Sequence, residues 1–394
     1  MKSIKDIDIF KKRVFIRVDF NVPMNDQRKI TDDTKIQATF PTIEYAFSQK
    51  ARVILASHLG RPKGKEEQFS LRPIAERLSE LLKKPIKMAT DSIGFEVEKE
   101  VEKLKEGDVL LLENLRFYSE EQKGDDGYAK SLARLCDVYV NDAFAVSHRA
   151  DASVSAITKY VPMSVAGLLL KKELNYLKKA LANPVRPLVA IVGGAKVSTK
   201  LGVLQNLLSV VDILLVGGAM ANTFLKSQGI LVGKSKVEEN LIADAADVLK
   251  RAIKKNVQVC LPLDVVVASE LSETVPMQVV SVKNVPADQM ILDIGPNTVS
   301  AFAAVIEKAK TVVWNGPMGV FETPSFSKGT MELAKVVGCS EALSIVGGGD
   351  TSLAIHKSGQ ADHVSYISTG GGAFLELLEG KTLPAIAALE ATGR

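Results

Sequence analysis

Short apolar runs that turn polar at their ends, separated by stretches of helical periodicity, constrain this chain more than any other feature. "RVFIRVDFN" (13–21), "RVILASHLGRP" (52–62), "DVLLLENLRF" (108–117) and "DVYVNDAFAVSHRA" (137–150) each begin with β-branched and apolar residues and finish in polar ones. Runs of this kind suit strands buried on both faces of a parallel sheet. Helical spacing lies between them, as in "LRPIAERLSELLKK" (71–84). The alternation reads as βαβ units and predicts an α/β fold. Ligands of such folds bind outside the carboxyl ends of the strands, where Asp19, Asn21, His58, Arg61, Arg116, His148 and Arg149 all fall. One such residue means little. Cationic groups recurring at the same topological point predict a shared anion site.

The arginines strengthen that reading. Arg13, Arg17, Arg28, Arg52, Arg61, Arg72, Arg77, Arg116, Arg134 and Arg149 precede residue 150, and only Arg186, Arg251 and Arg394 follow it. Guanidinium forks suit bidentate binding of phosphate and carboxylate, so the first half is the better place for a small anion. Arg72, Arg77 and Arg134 lie on helix-like stretches and read as solvated surface residues.

The second half repeats the scheme with glycines. "LVAIVGGAK", "ILLVGGAM", "TVVWNGPMGVFE", "LSIVGGGD" and "HVSYISTGGGA" are apolar runs ending in Gly-rich turns, most of them followed by helix-like sequence. A helix N-terminus behind such a turn offers oriented N–H groups and a positive dipole end, which together bind phosphate. Taken alone, Gly193-Gly194 reads better as a tight strand-to-helix turn than as a phosphate site. The P-loop spacing is absent there. Its nearest match, Gly229 to Ser235, has Gln228 where the first glycine belongs. The dinucleotide fingerprint G-x-G-x-x-G is missing from all of these turns, which makes a mononucleotide a better guess than a nicotinamide or flavin. Lys196 and Lys200 are placed to meet phosphate charge, Asp350 to hold magnesium through oxygen, and Glu322 to accept from ribose hydroxyls.

Composition sets the remaining bounds. A chain of 394 residues, 46% hydrophobic and 24% charged, has room for two cores. Its formal charge of +4 is spread without a long basic block, which points away from nucleic acid. No apolar stretch approaches a membrane span or a signal peptide, so a cytoplasmic protein without a membrane partner is expected. Cys136, Cys260 and Cys339 are far apart and read as inert core residues. Between the halves, "MSVAGLLLKKELNYLKKALANPVRP" repeats Leu170, Leu174, Leu177 and Leu181 at helical spacing and stops at Asn183-Pro184, which predicts a connecting helix. An anion half and a nucleotide half joined by one helix suggest phosphoryl transfer across a cleft that closes to exclude water.

"RVDFNVPM", "SHLGRPKG", "LLENLRF", "YVNDAF", "GGAKVSTK", "VVWNGPMGVFE", "IVGGGDT" and "STGGGAFLELLEGK" resemble the phosphoglycerate kinase family, in order and over essentially the whole chain. The resemblance implies two Rossmann-like domains, each a mostly parallel sheet flanked by helices, in a monomer that moves the acyl phosphate of 1,3-bisphosphoglycerate to ADP with magnesium. The implied divisions are 1–164 for the triose-phosphate domain, 165–183 for the connecting helix, 184–375 for the nucleotide domain and 376–394 for a segment returning to the first domain. On the triose side the matching positions are Asp19, Asn21, Lys35, His58, Arg61, Arg116 and Arg149. On the nucleotide side they are Lys196, Lys200, Asn315, Glu322, Gly348, Gly349, Asp350 and Thr351, with Asp350 positioning magnesium. Lys196 is implied to accompany the transferred group, and Gly370, Gly371 and Gly372 to face the transfer site. An acyl phosphate is already activated, so positioning and charge neutralisation matter more than an acid or base.

The chain also departs from the family pattern. Lys35 stands where the family carries an arginine that bridges the substrate carboxylate and the migrating phosphoryl group, so the charge is kept and the fork is lost. Ala145 and Ala219 replace glycines, each adding a methyl where backbone approach is close. Asp151 replaces a histidine and puts an anion beside Arg149. Two other classes stay open at this level: a weakened paralogue that only binds its ligands, favoured by Lys35, and a nucleotide-sugar or nicotinamide enzyme on a similar sheet.

Overall fold

The computed structural model describes residues 1–392. They form two compact units: residues 1–174 with the C-terminal residues from Thr382 on, and residues 175–381. The division falls inside the helix Leu168–Leu181. That helix starts later than the sequence suggests, because Ser164–Ala166 is an edge strand.

The first unit is built on strands β1 (Arg13–Arg17), β2 (Arg52–Ala56), β3 (Lys87–Met88), β4 (Val109–Leu111), β5 (Val138–Asn141) and β6 (Ser164–Ala166). All pair in parallel, in the order β3-β4-β2-β1-β5-β6. Helices cover both faces. Consecutive residues Val14, Phe15 and Ile16 are therefore wholly buried, where an alternating pattern would mark a half-exposed sheet. Each such side chain contributes about 1.5–3 kcal/mol by leaving water. The helix Arg72–Leu82 shows the local logic: Pro73 sits in its first turn, Ile74, Ala75 and Leu78 face the core, and Lys83 ends it with φ +51°. The direction of the chain reverses at β1, so the crevice of the sheet opens between β1 and β5.

In the second unit, β7 (Leu188–Val192), β8 (Ile213–Val216), β9 (Gln258–Cys260), β13 (Thr311–Asn315), β14 (Leu343–Gly347) and β15 (Tyr366–Ile367) form another parallel sheet, ordered β15-β14-β13-β7-β8-β9. Its crevice lies between β7 and β13. A small antiparallel sheet pairs β10 (Asp264–Ala268) with β11 (Gln278–Ser281) and β12 (Met290–Ile294). The alternation of apolar runs and turns does not anticipate this sheet, because β11 is largely exposed and has no apolar face to read.

The cysteines differ from expectation. Only Cys136 is buried, where burial pushes its thiol up to about 12; Cys260 is half-buried and Cys339 exposed. Cys339 ends the helix Lys328–Cys339 on its solvent side.

Candidate functional site

In the first unit, sheet order sets β4, β2, β1 and β5 side by side, so the polar segments that follow them meet at one end. Asn21 Oδ1 accepts from Gly60 N–H at 2.9 Å, and Arg116 Nη1 donates to the Gly60 carbonyl at 2.8 Å, which ties three of these segments together. Lys35, from the short helix Thr34–Ala38, donates to Asp19 Oδ2 at 2.8 Å and to the Asn21 carbonyl at 3.3 Å. Burial opposes ionisation of Asp19, but His58, Lys35 and Arg17 together outweigh it and hold the carboxyl below its ordinary range.

His58 is buried in a field of cations. Its desolvation, then Arg17, Arg116 and Arg149, push its pKa well below the usual value despite Asp19, so the imidazole is neutral. Arg17 Nη2 lies 3.4 Å from His58 Nδ1. A guanidinium only donates, which assigns Nδ1 as acceptor and leaves Nε2–H as a donor for an anion. Arg116 is 5% exposed, and among the described residues its Nε and Nη2 have no hydrogen-bond partner. Burial and the charge of Arg149 pull its pKa down to about 10, still charged at neutral pH. Arg61 is exposed and makes no side-chain hydrogen bond or ion pair among the described residues. Arg116 is thus a guanidinium donor held ready by the fold.

In the second unit, the turns after β7, β8 and β13 are laced backbone to backbone. Gly193 N–H donates to the Asn315 carbonyl at 3.0 Å, Gly194 N–H to Pro317 at 2.9 Å and Gly218 N–H to Met318 at 2.9 Å. A Cβ on Gly193 would sit 2.2 Å from the Pro317 oxygen, and one on Gly218 2.5 Å from the Gly194 nitrogen. These glycines serve close packing. Gly349 does not, since a Cβ there would meet nothing within 4 Å. It opens the helix Gly349–Lys357, and the helix Gly371–Leu378 begins beside it, with a Cβ on Gly371 falling 4.0 Å from Gly348 Cα. Two helix N-termini thus converge with open N–H groups.

Side chains complete this second cluster. Asn315 Nδ2 donates to the Gly347 carbonyl at 2.7 Å while its Oδ1 accepts from Lys200 Nζ, and Thr351 Oγ1 accepts from Gly316 N–H at 2.7 Å. Burial pulls the Lys200 ammonium down to about 8, with Asp350 opposing. Lys196 and Asp350 are exposed. A cavity of about 220 Å³ runs from Gly194 and Ala219 past Met318 to Leu292, with Glu322 and Asp350 at its wall. Its lining is mainly apolar, as a nucleobase needs. Among the described residues no cluster of three or more His, Cys, Asp or Glu side chains is placed to hold a metal. A lone carboxylate at Asp350 suits a magnesium ion whose other ligands are phosphates and water.

The model of the phosphoglycerate kinase family matches residues 4–381. The chain belongs to this family. It is 57% identical over 391 residues to the phosphoglycerate kinase of Desulfosudis oleivorans, with 99% of each chain covered. To that of Citrifermentans bemidjiense it is 55% identical over 396 residues, again with 99% of each covered. Its fold is similar to the solved phosphoglycerate kinase of Coxiella burnetii, with a TM-score of 0.92 and 46% identity over the whole of both chains. The structure from Pyrococcus horikoshii matches with a TM-score of 0.87 at 32% identity, covering 100% of this chain and 99% of that one. This chain is a glycolytic kinase, an enzyme of the phosphotransferase class.

The geometry adds residues that the sequence reading left without a role. Arg17 is wholly buried in β1, donates to Ser153 Oγ at 2.8 Å and lies 4.0 Å from Glu121, itself fully buried. An arginine inside the apolar run "RVFIRV" was the available signal. Asp151 is 5% exposed, and its charge acts on Arg116 and Glu121. Ala145 and Ala219 have no positive φ, so neither backbone position requires glycine, and the Ala219 methyl simply adds to the cavity wall.

Proposed function

We propose that this enzyme transfers the acyl phosphate of 1,3-bisphosphoglycerate to ADP, reversibly, giving 3-phosphoglycerate and ATP. The carrying observation is the pair of open helix N-termini at Gly349 and Gly371 beside Lys200 and Asp350, which suits nucleotide phosphates. The complementary anion site of the first unit suits a small molecule bearing phosphate and carboxylate.

In this reading Arg61, Arg116 and Arg149 hold the triose phosphate with His58 Nε2–H, and Asp19 and Asn21 orient Lys35 and the loop around Gly60. Lys35 neutralises charge near the substrate carboxylate. On the other unit, Lys196 travels with the phosphoryl group, while Gly348, Gly349, Thr351, Asn315 and Lys200 form the phosphate cradle. Gly371 and Gly372 offer N–H groups at the transfer site, and Glu322 receives the ribose hydroxyls. Asp350 would hold a magnesium ion carried by the nucleotide, whose charge offsets that of the phosphate oxygens. In the direction of ATP use the nucleophile is a carboxylate, which has no proton to remove. In-line transfer then needs only that the two bound ligands meet with water excluded, by closure of the units.

The reading includes a cytoplasmic monomer that needs neither nucleic acid nor membrane. Among the described residues no helix is long and apolar enough to cross a membrane. The test is a coupled assay with ATP, magnesium and 3-phosphoglycerate, read as acyl phosphate formation. Binding of both ligands without acyl phosphate would replace the kinase by a binding-only protein.

A further inference from the structure

The chain passes between its two units twice, within the helix Leu168–Leu181 and at Lys381–Thr382. Inside the first unit, both passages are fastened to a single loop, residues 142–151, which follows β5 and carries Arg149. The opening N–H groups of a helix have no partner within it. Here they are taken by side chains from elsewhere: Leu168 N–H donates to Thr42 Oγ1 at 2.9 Å, and Leu169 and Leu170 N–H donate to Asp142 Oδ1 at 2.9 and 3.1 Å. Thr42 belongs to the helix Phe40–Ser48, which directly follows the helix bearing Lys35.

Asp142 is held firmly in this role. Its own N–H donates to the Arg17 carbonyl at 2.8 Å. Gly167 approaches so closely that a Cβ there would lie 2.1 Å from Asp142 Oδ1. Burial pushes the carboxyl up to about 6 against the pull of the Thr42 hydroxyl and the two helix N–H groups, so an ionisable side chain stands where burial disfavours it. Further along the same loop, the Ser147 carbonyl accepts from Ala385 N–H at 3.1 Å, and Ala143, Val146, Val154 and Ala385 pack into a small apolar cluster. Ala385 lies in the first turn of the C-terminal helix Pro384–Thr392.

We propose that Asp142 is a positioning residue for phosphoryl transfer, bonding the departing helix to the loop of Arg149 so that an anion on Arg149 sets the direction in which that helix leaves the first unit. The proposal rests on the reading of Arg149 as a ligand of phosphoglycerate. Binding energy shifts an element only through differential contacts with it, and this loop supplies those contacts to both passages.

Asp142→Ala, Asp142→Asn and Thr42→Val are to be compared with the parent in turnover at saturating substrates, in calorimetric affinity for each ligand alone, and in radius of gyration by small-angle scattering with and without both ligands. Asp142→Ala is expected to bind MgADP within about twofold of the parent, to lose about tenfold in kcat, and to compact less with both ligands. Asp142→Asn keeps an oxygen that accepts both N–H groups and is expected to recover kcat to within about threefold. Thr42→Val removes the partner of Leu168 and the hydroxyl that acts on Asp142 while keeping the two N–H bonds to Asp142, and should show the same pattern at smaller size, so it carries the test if Asp142→Ala does not fold. Parent-like turnover and compaction in Asp142→Ala, equal losses in Asp142→Ala and Asp142→Asn, or a parent that does not compact at all would overturn the proposal. A parent that compacts but forms no acyl phosphate would overturn the functional reading instead, while the scattering comparison still decides the role of Asp142.

Discussion

Lys35 Nζ donates to Asp19 Oδ2 at 2.8 Å, so the cation proposed to neutralise charge near the substrate carboxylate is already paired with a carboxylate of its own. The Asp19 side chain is 10% exposed and that of Lys35 34%, which places the pair at the mouth of the site. An ammonium is a point charge, and while it answers Asp19 it offers less to a migrating phosphoryl group. An arginine in the same place has enough N–H groups to bond the carboxylate and an incoming oxygen together.

Substitutions at Lys35 follow from that pairing. Removing a transition-state donor lowers the rate by about 10²–10³, and weakening one lowers it by less. Lys35→Ala should therefore lose about 10² in kcat with little change in KM for MgATP, and Lys35→Arg should exceed the parent. Steady-state turnover of the three proteins at saturating nucleotide checks this. Parent-like turnover in Lys35→Ala would make Lys35 a structural partner of Asp19 only.

Arg61 and Arg116 should separate binding from stability. Arg61 is exposed and unpaired among the described residues, whereas Arg116 is buried and bonds the Gly60 carbonyl at 2.8 Å. A hydrogen bond to a charged group contributes about 1.5–3 kcal/mol, so either change to alanine should weaken 3-phosphoglycerate binding by tenfold or more. MgADP affinity should stay close to the parent's for both. Only Arg116→Ala should also lower the melting temperature. Calorimetry with thermal denaturation decides, and equal losses for both ligands would show that the sites are not separate.

How much of this could be read beforehand depends on whether a contact is local. The strand ends carrying Asp19, His58, Arg116 and Arg149 were visible because each follows an apolar run, and parallel pairing does the rest. The role of Arg17 is not legible in the sequence, because its partners Ser153 and Glu121 come from distant segments that carry no periodic signal. The glycine turns looked alike in sequence. Only the three-dimensional environment separates Gly193, enclosed by the Pro317 oxygen, from Gly349, which faces open space. The small antiparallel sheet leaves no trace in the sequence because β11 buries too little to show a pattern.

That contrast between glycines is itself testable. Gly349→Ala adds a methyl into open space in a first helical turn, so folding stability should be unchanged or raised by about 0.4–1 kcal/mol. MgADP affinity should nevertheless fall, because the methyl stands where phosphate approaches the N–H groups. Gly193→Ala places a Cβ 2.2 Å from the Pro317 oxygen and should unfold the second unit's turn cluster outright. Urea denaturation paired with MgADP titration distinguishes them. Unchanged affinity in Gly349→Ala would move the phosphate site away from this helix.

The depressed pKa of Lys200 gives nucleotide binding a pH dependence with a definite sign. Burial holds the ammonium at about 8 in the free protein, against an ordinary value of 10.5. Nucleotide phosphates favour the charged form, so binding raises that pKa and takes up a proton wherever free Lys200 is neutral. MgADP affinity should accordingly be flat below pH 7 and fall with rising pH above about 8, by up to tenfold per unit until the pKa of the complex is reached. Arginine stays charged throughout this range, so Lys200→Arg should flatten the profile even if its absolute affinity differs. Calorimetry from pH 6.5 to about 9.5 in two buffers of different ionisation enthalpy measures both the affinity and the proton uptake. A parent profile that is flat across pH 8, with no proton taken up, would show that Lys200 does not meet the phosphates and serves only to hold Asn315.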